Sequence, residues 1–150
     1  ALECVKYGHE MACIGNLYPE IPPPEETDES GKEDEEQSTD LDSYMFQTVG
    51  VEVMPLMAEC MQKPLIRKPI RGGSVNQELF YDKATEEVAD EVEDLYELIE
   101  EAKETYQIEA VCSGAILSDY QRLRVENICD RLGLVSLAYL WQKDQAELLD

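Results

Sequence analysis

Apolar residues recur at spacings of three and four through Val88, Val92, Leu95, Tyr96, Ile99, Ala102 and Tyr106, which predicts an amphipathic helix of about five turns. Asp90, Glu91, Glu93 and Asp94 fill its first turns, where the helix dipole favours negative charge. A second helix is predicted over residues 119–132, with Val125, Ile128, Cys129 and Leu132 inward and Gly133 as its stop. Leu2, Val5 and residues 6–8 suit the end of another helix, with Gly8 at a left-handed cap. Residues 44–62 also have helical content, and Gly50 and Pro55 predict a break into two pieces.

Short, nearly continuous apolar runs lie between these helices, at residues 10–18, 65–70, 110–116 and 135–140. Such runs fit strands buried on both faces. Strands alternating with helices imply parallel strands joined by helical crossovers, so the expected fold is α/β, a Rossmann-like open parallel sheet with helices on both faces. At 150 residues and 43% hydrophobic content, the chain suits one domain with one core.

Residues 20–39 break the pattern. They are Pro, Glu, Asp, Ser and Thr with almost no apolar side chain, which cannot bury enough surface to offset ordering entropy, so a mobile acidic loop is expected. The net charge is −22, and ten acids lie between Glu25 and Asp42 against Lys32 alone, yet more than half of the excess lies outside that run. So acidic a chain repels polyphosphate backbones, which argues against direct nucleic-acid binding and for a basic protein partner or simple solubility. No stretch approaches the roughly 18 apolar residues that a membrane span needs, and no leader pattern opens the sequence. The five cysteines are odd in number, form no Cys-x-x-Cys and sit among apolar neighbours, so they read as reduced core thiols of a cytoplasmic protein. Neither end carries a boundary signal, and the expectation is that both are cuts through a larger domain.

The richest chemistry is expected at residues 114–124. Gly114, Ser118, Tyr120, Gln121, Arg122 and Arg124 join the end of a strand to the start of a helix, the place where open α/β sheets bind ligands. Backbone N–H groups there favour a phosphate or other anion, and arginine grips phosphate bidentately. Equally, Ser118 and Gln121 spell a complete capping box, and both arginines could be solvated on an outer face. Arg71, Gly72, Gly73 and Ser74 follow another strand; the glycines would let a backbone approach a ligand, or make only a flexible turn. No Walker A lysine follows. Asp42 and Ser43 suit a helix cap, and one carboxylate does not make a magnesium site. The single histidine, His9, fits an edge position better than catalysis, and zinc sites and Ser-His-Asp triads are nearly excluded.

Longer strings carry a resemblance: residues 41–50, LDSYMFQTVG; 70–74, IRGGS; 90–96, DEVEDLY; 114–127, GAILSDYQRLRVEN; and 137–142, LAYLWQ. In order and spacing they resemble the diphthine-ammonia ligases of the PP-loop ATP pyrophosphatase superfamily, over nearly the whole chain except the acidic loop. The resemblance implies a sheet of strand order 3-2-1-4-5. It implies ATP and magnesium as cofactors, with diphthine on translation elongation factor 2 adenylated at its carboxylate and then amidated by ammonia. It places Gly114, Ser118, Tyr120, Gln121 and Arg124 in the family's Gly-x-x-x-Ser-x-Tyr-Gln-x-x-Arg pattern, and Tyr44, Arg71, Ser74, Glu91 and Glu93 in its other recurrent strings.

The chain departs from that pattern in places. The family's Ser-Gly-Gly-Lys-Asp-Ser loop would precede Ala1 and its Glu-Gly-Gly-Glu-Tyr-Glu segment would follow Asp150; Val51 stands where many relatives have His. The chain is thus expected to be an incomplete ligase domain over residues 1–150, lacking the central first strand and inactive alone. Two alternatives remain: a non-catalytic interaction module, and another PP-loop enzyme such as a tRNA-modifying one.

Overall fold

The computed structural model describes residues 2–19, 45–46, 50–73 and 90–149. Helix α1 (Leu2–Lys6) is followed by strand β1 (Ile14–Pro19), a 3-10 turn (Val51–Val53), α2 (Met54–Met61) and β2 (Leu65–Ile70). Then come α3 (Glu91–Tyr106), β3 (Ala110–Cys112), α4 (Asp119–Leu132), β4 (Val135–Leu137) and α5 (Gln145–Leu149). The fold is α/β, with parallel strands and helices on both sides. Strand β1 pairs with β2 from Ile14–Leu65 to Pro19–Ile70, and β3 pairs with β4 from Ala110–Val135 to Cys112–Leu137. Among the described residues the two ladders are separate. The acidic segment 20–39, and Val88 of the predicted helix, lie outside the described residues.

Three strands are shorter than their apolar runs, because a ladder reaches only as far as its partner. Strand β1 starts at Ile14 rather than at residue 10: the Ile14 N–H donates to Pro64 O at 2.9 Å, and β2 begins just after that proline. Strand β3 ends at Cys112 rather than at residue 116, with one more rung from Ser113 N–H to Leu137 O at 3.1 Å. Strand β4 stops at Leu137, and the chain turns where Trp141 N–H donates to Ala138 O. Pro55 does not break a helix. It sits in the first turn of α2, where a missing N–H costs nothing, and Gly50, at φ 79°, precedes the 3-10 turn.

Helix α3 holds the fold together through two adjacent stripes. Val92 and Ile99 enter a core cluster with Val125, Ile128, Cys129 and Leu132 of α4, while Leu98 and Ala102 pack with Leu17, Ile66 and Ile70 of β1 and β2. Leu95, Ile108 and Phe46 touch both clusters. The Asp90 side chain caps α3 by accepting from Val92 N–H at 2.9 Å. Gly133, at φ 64°, closes α4 in the left-handed conformation that its sequence position predicts. The cysteines are all free but are not all core residues: Cys4 and Cys129 are buried, Cys13 is half-buried, and Cys60 and Cys112 are exposed. Among the described residues no helix is long and apolar enough to cross a membrane.

Candidate functional site

The β3–α4 junction is built as a cap and a set of cross-links. Ser118 is extended, at φ −93° and ψ 101°, and its Oγ accepts from Gln121 N–H at 3.3 Å. The expected reciprocal arm of a capping box is absent. Gln121 instead donates its side-chain amide to Met45 O at 3.0 Å, tying the start of α4 to a buried residue that shares a core cluster with Val92. Sequence spacing cannot reveal such a partner, 76 positions away. Ser118→Ala is expected to cost about 1 kcal/mol of stability, the usual value of one cap. Urea unfolding checks this.

Both arginines of this junction have partners within the fold. Arg122 donates to Glu126 at 2.6 Å and to Asp119 at 3.1 Å, and its guanidinium lies 4.7 Å from the centre of the Trp141 ring. Hydrogen bonds to Asp119 and then Glu126 raise its pKa further. Its charge is balanced by two carboxylates and its plane lies on Trp141, so it is not simply solvated on an outer face. Arg124 is fully buried at 0% exposure; its guanidinium lies 3.3 Å from the centre of the Tyr120 ring, and Nη1 donates to Tyr120 O at 3.4 Å. It braces the first turn of α4 from inside.

What remains open at the junction is backbone and apolar surface. The loops after β3 and β4 are joined by Ser113 N–H to Leu137 O and by Gln142 N–H to Ile116 O at 2.8 Å, with Gln142 at φ 56°. Gly114 is exposed on this joined surface, beside Ile116 at 37% and Leu117 at 76% exposure. Tyr120 is half-buried against the α3–α4 core cluster. Trp141 and Gln142 brace this surface, and the string around Trp141 is the only signal of them in the sequence.

The Arg71–Gly73 segment is not a flexible turn. Asp94 Oδ2 accepts from both Arg71 N–H and Gly72 N–H at 2.8 Å, and Glu91 N–H donates to Gly73 O at 3.1 Å. The close approach that Gly72 permits is to the start of α3: a Cβ there would lie 2.3 Å from the Asp90 carbonyl carbon. The exposed Arg71 side chain lines a groove of about 240 Å³ with Arg67, Lys68, Pro69, Asp94, Glu97 and Glu101. No residue of the β3–α4 junction lines that groove, so Arg71 belongs to a separate surface.

Glu91 is buried at 1% exposure, whereas Glu93 pairs bidentately with Arg131 of α4 at 2.8 and 2.9 Å. Arg131 also covers the Tyr96 ring at 4.3 Å. Glu93 is therefore a clamp between α3 and α4. Tyr44 and Ser74 lie outside the described residues. His9 bonds the Tyr139 hydroxyl at the edge of the fold. Among the described residues no group of three His, Cys, Asp or Glu side chains could hold a metal ion.

The family profile described as the diphthamide synthase N-terminal domain matches residues 35–136, two-thirds of the chain and every candidate residue above. The chain belongs to this family. The match of the diphthamide synthase N-terminal domain thus covers both the glycine segment clamped by Asp94 and the capped start of α4. Curated relatives agree with it. A diphthine–ammonia ligase of Schizosaccharomyces pombe is 49% identical over 150 residues, 99% of this chain and 22% of that protein. Those of Bos taurus and Homo sapiens are 47% and 46% identical over 148 residues, 99% of this chain and 50% of each relative. The chain spans about half the length of the mammalian relatives and about a fifth of the yeast one.

Proposed function

We propose that this chain is part of an ATP-dependent diphthine–ammonia ligase, which converts diphthine on translation elongation factor 2 to diphthamide with ammonia in the cytoplasm. The observation that carries the reading is identity of 46–49% to enzymes of that name, sustained over 99% of the chain. Elongation factor 2 is then the protein partner and ATP the co-substrate. ATP supplies the activation that makes a carboxylate susceptible to ammonia. The order 3-2-1-4-5 belongs to the same proposal and sets a further strand between β1 and β3.

In this reading the joined ends of β3 and β4 face the substrate. The start of α4 carries partial positive charge from its backbone dipoles, which offsets negative charge on phosphate or carboxylate oxygens held there. Ser118 and Gln121 fix where that helix begins, Arg122 with Trp141 fixes the neighbouring loop, and Arg124 holds the Tyr120 ring in place. Such groups act by position and electrostatics, since they do not need to reorganise as charge develops. Magnesium receives no ligand set among the described residues.

The test supplies the full-length protein with ATP, magnesium, ammonium and diphthine-bearing elongation factor 2. AMP and the amide should appear in equal amounts, and omission of ammonium should abolish the amide. AMP release without amide, or release stimulated by tRNA instead, would transfer the chain to another reaction. The 150 residues alone are expected neither to bind ATP tightly nor to release AMP. Calorimetry and an AMP assay check this, and repeated turnover by the 150 residues would contradict it.

A further inference from the structure

Leu117 is 76% exposed in the loop between β3 and α4, and the packing of α4 does not account for an apolar residue there. It stands immediately before Ser118, the N-cap of α4, where an apolar residue often closes a staple by packing on the fourth helical residue. Here that residue is Arg122, whose guanidinium lies on the Trp141 ring and pairs with Asp119 and Glu126. The staple is not made, and the leucine stays in water at a cost that grows with its apolar area. The chain on either side of it is fastened: Ala115 is buried, Ile116 O accepts from Gln142 N–H at 2.8 Å, and Ser118 Oγ accepts from Gln121 N–H. The link from Gln142 draws the loop to the β4 side, away from the β3 edge beside which the ligase reading sets a further strand.

A side chain carried at a fixed place loses little conformational freedom when it is bound. Leu117 is a projection rather than the wall of a cleft, since most of its surface is in water. Small ligands are held in concave sites, whereas a projecting leucine sheds its water by entering a hollow in another macromolecule. Ile116, at 37% exposure, widens the apolar tip. We infer that Leu117 is a specificity-determining contact for the protein substrate and enters an apolar hollow of that protein beside the diphthine side chain. This rests on the ligase reading and names the part of the enzyme that recognises the protein around the reacting group. Leu117 touches no reacting atom, so its contact is equally strong in the ground and transition states. Such uniform binding sets KM and leaves kcat alone.

The test measures amide formation by the full-length enzyme with diphthine-bearing elongation factor 2 and ATP varied separately. Leu117→Ser should raise KM for elongation factor 2 at least about tenfold, the effect of losing one buried leucine from a complex. Its kcat, its KM for ATP and its Tm should match those of the parent enzyme. Leu117→Met keeps an apolar side chain of similar volume and should return KM for elongation factor 2 to near the parent value. Leu56→Ser alters another exposed leucine, on α2, and should change none of these quantities. The inference is overturned by a parent KM in Leu117→Ser, by a rise in KM for ATP alone, or by a fall in Tm with KM unchanged, which would place Leu117 in a contact inside the full-length protein. In those three outcomes the parent enzyme still forms the amide and the ligase reading stands. Absence of amide from the parent enzyme removes that reading and this inference with it.

Discussion

Arg124→Ala is expected to destabilise the protein by about 3–5 kcal/mol, the cost of emptying a large, fully buried side-chain site. Arg124 is 0% exposed and its guanidinium sits against the Tyr120 ring, so no water can replace what is lost. A loss of that size approaches the whole stability of many domains. Most of the variant should therefore be unfolded or recovered only in aggregates. Urea unfolding followed by circular dichroism measures the change. A loss below about 1 kcal/mol, the range of surface substitutions, would show that Arg124 turns outward in solution.

Gly72→Ala is expected to cost about 1–3 kcal/mol or more, because the added methyl group meets backbone rather than a flexible side chain. Its neighbours would be Asp90 C, Glu91 N and Asp90 O at 2.3, 2.6 and 2.7 Å. Making room would pull Arg71–Gly73 away from Asp94 and break the bond from Glu91 N–H to Gly73 O. Gly73→Ala is the internal control: a Cβ there meets nothing within 4 Å, so its effect should stay within about 0.5 kcal/mol. Equal losses for the two variants in denaturant unfolding would remove the packing explanation.

The elements legible in the sequence are those fixed by local chemistry. The bounds of α4 follow from Ser118 at one end and Gly133 at the other, and the two buried stripes of α3 follow from its spacing of three and four. Strand ends were less legible, because Pro64 and Leu137 limit partners distant in sequence. At the candidate site the sequence marks a segment rich in charge but not how those charges are partnered in the fold. Its charged residues looked like ligand grips, but charge says nothing of burial or pairing: Arg122 is neutralised by Asp119 and Glu126, Arg124 is sealed under Tyr120, and Glu93 is held by Arg131. Asp94, which fixes the glycine segment, looked like one more acid in a helix start, where the dipole alone would explain it.

Whether the joined ends of β3 and β4 face substrate is tested most directly by amide formation per folded molecule in full-length Tyr120→Phe protein. Phenylalanine keeps the ring that covers Arg124, so stability should fall by no more than about 1.5 kcal/mol, the range of one hydrogen bond. Only the hydroxyl is removed. The assignment predicts that turnover per folded molecule drops at least about tenfold, the loss of roughly 1.4 kcal/mol of transition-state stabilisation. Unchanged turnover per folded molecule, with elongation factor 2 amidated as fast as by the parent enzyme, would contradict it.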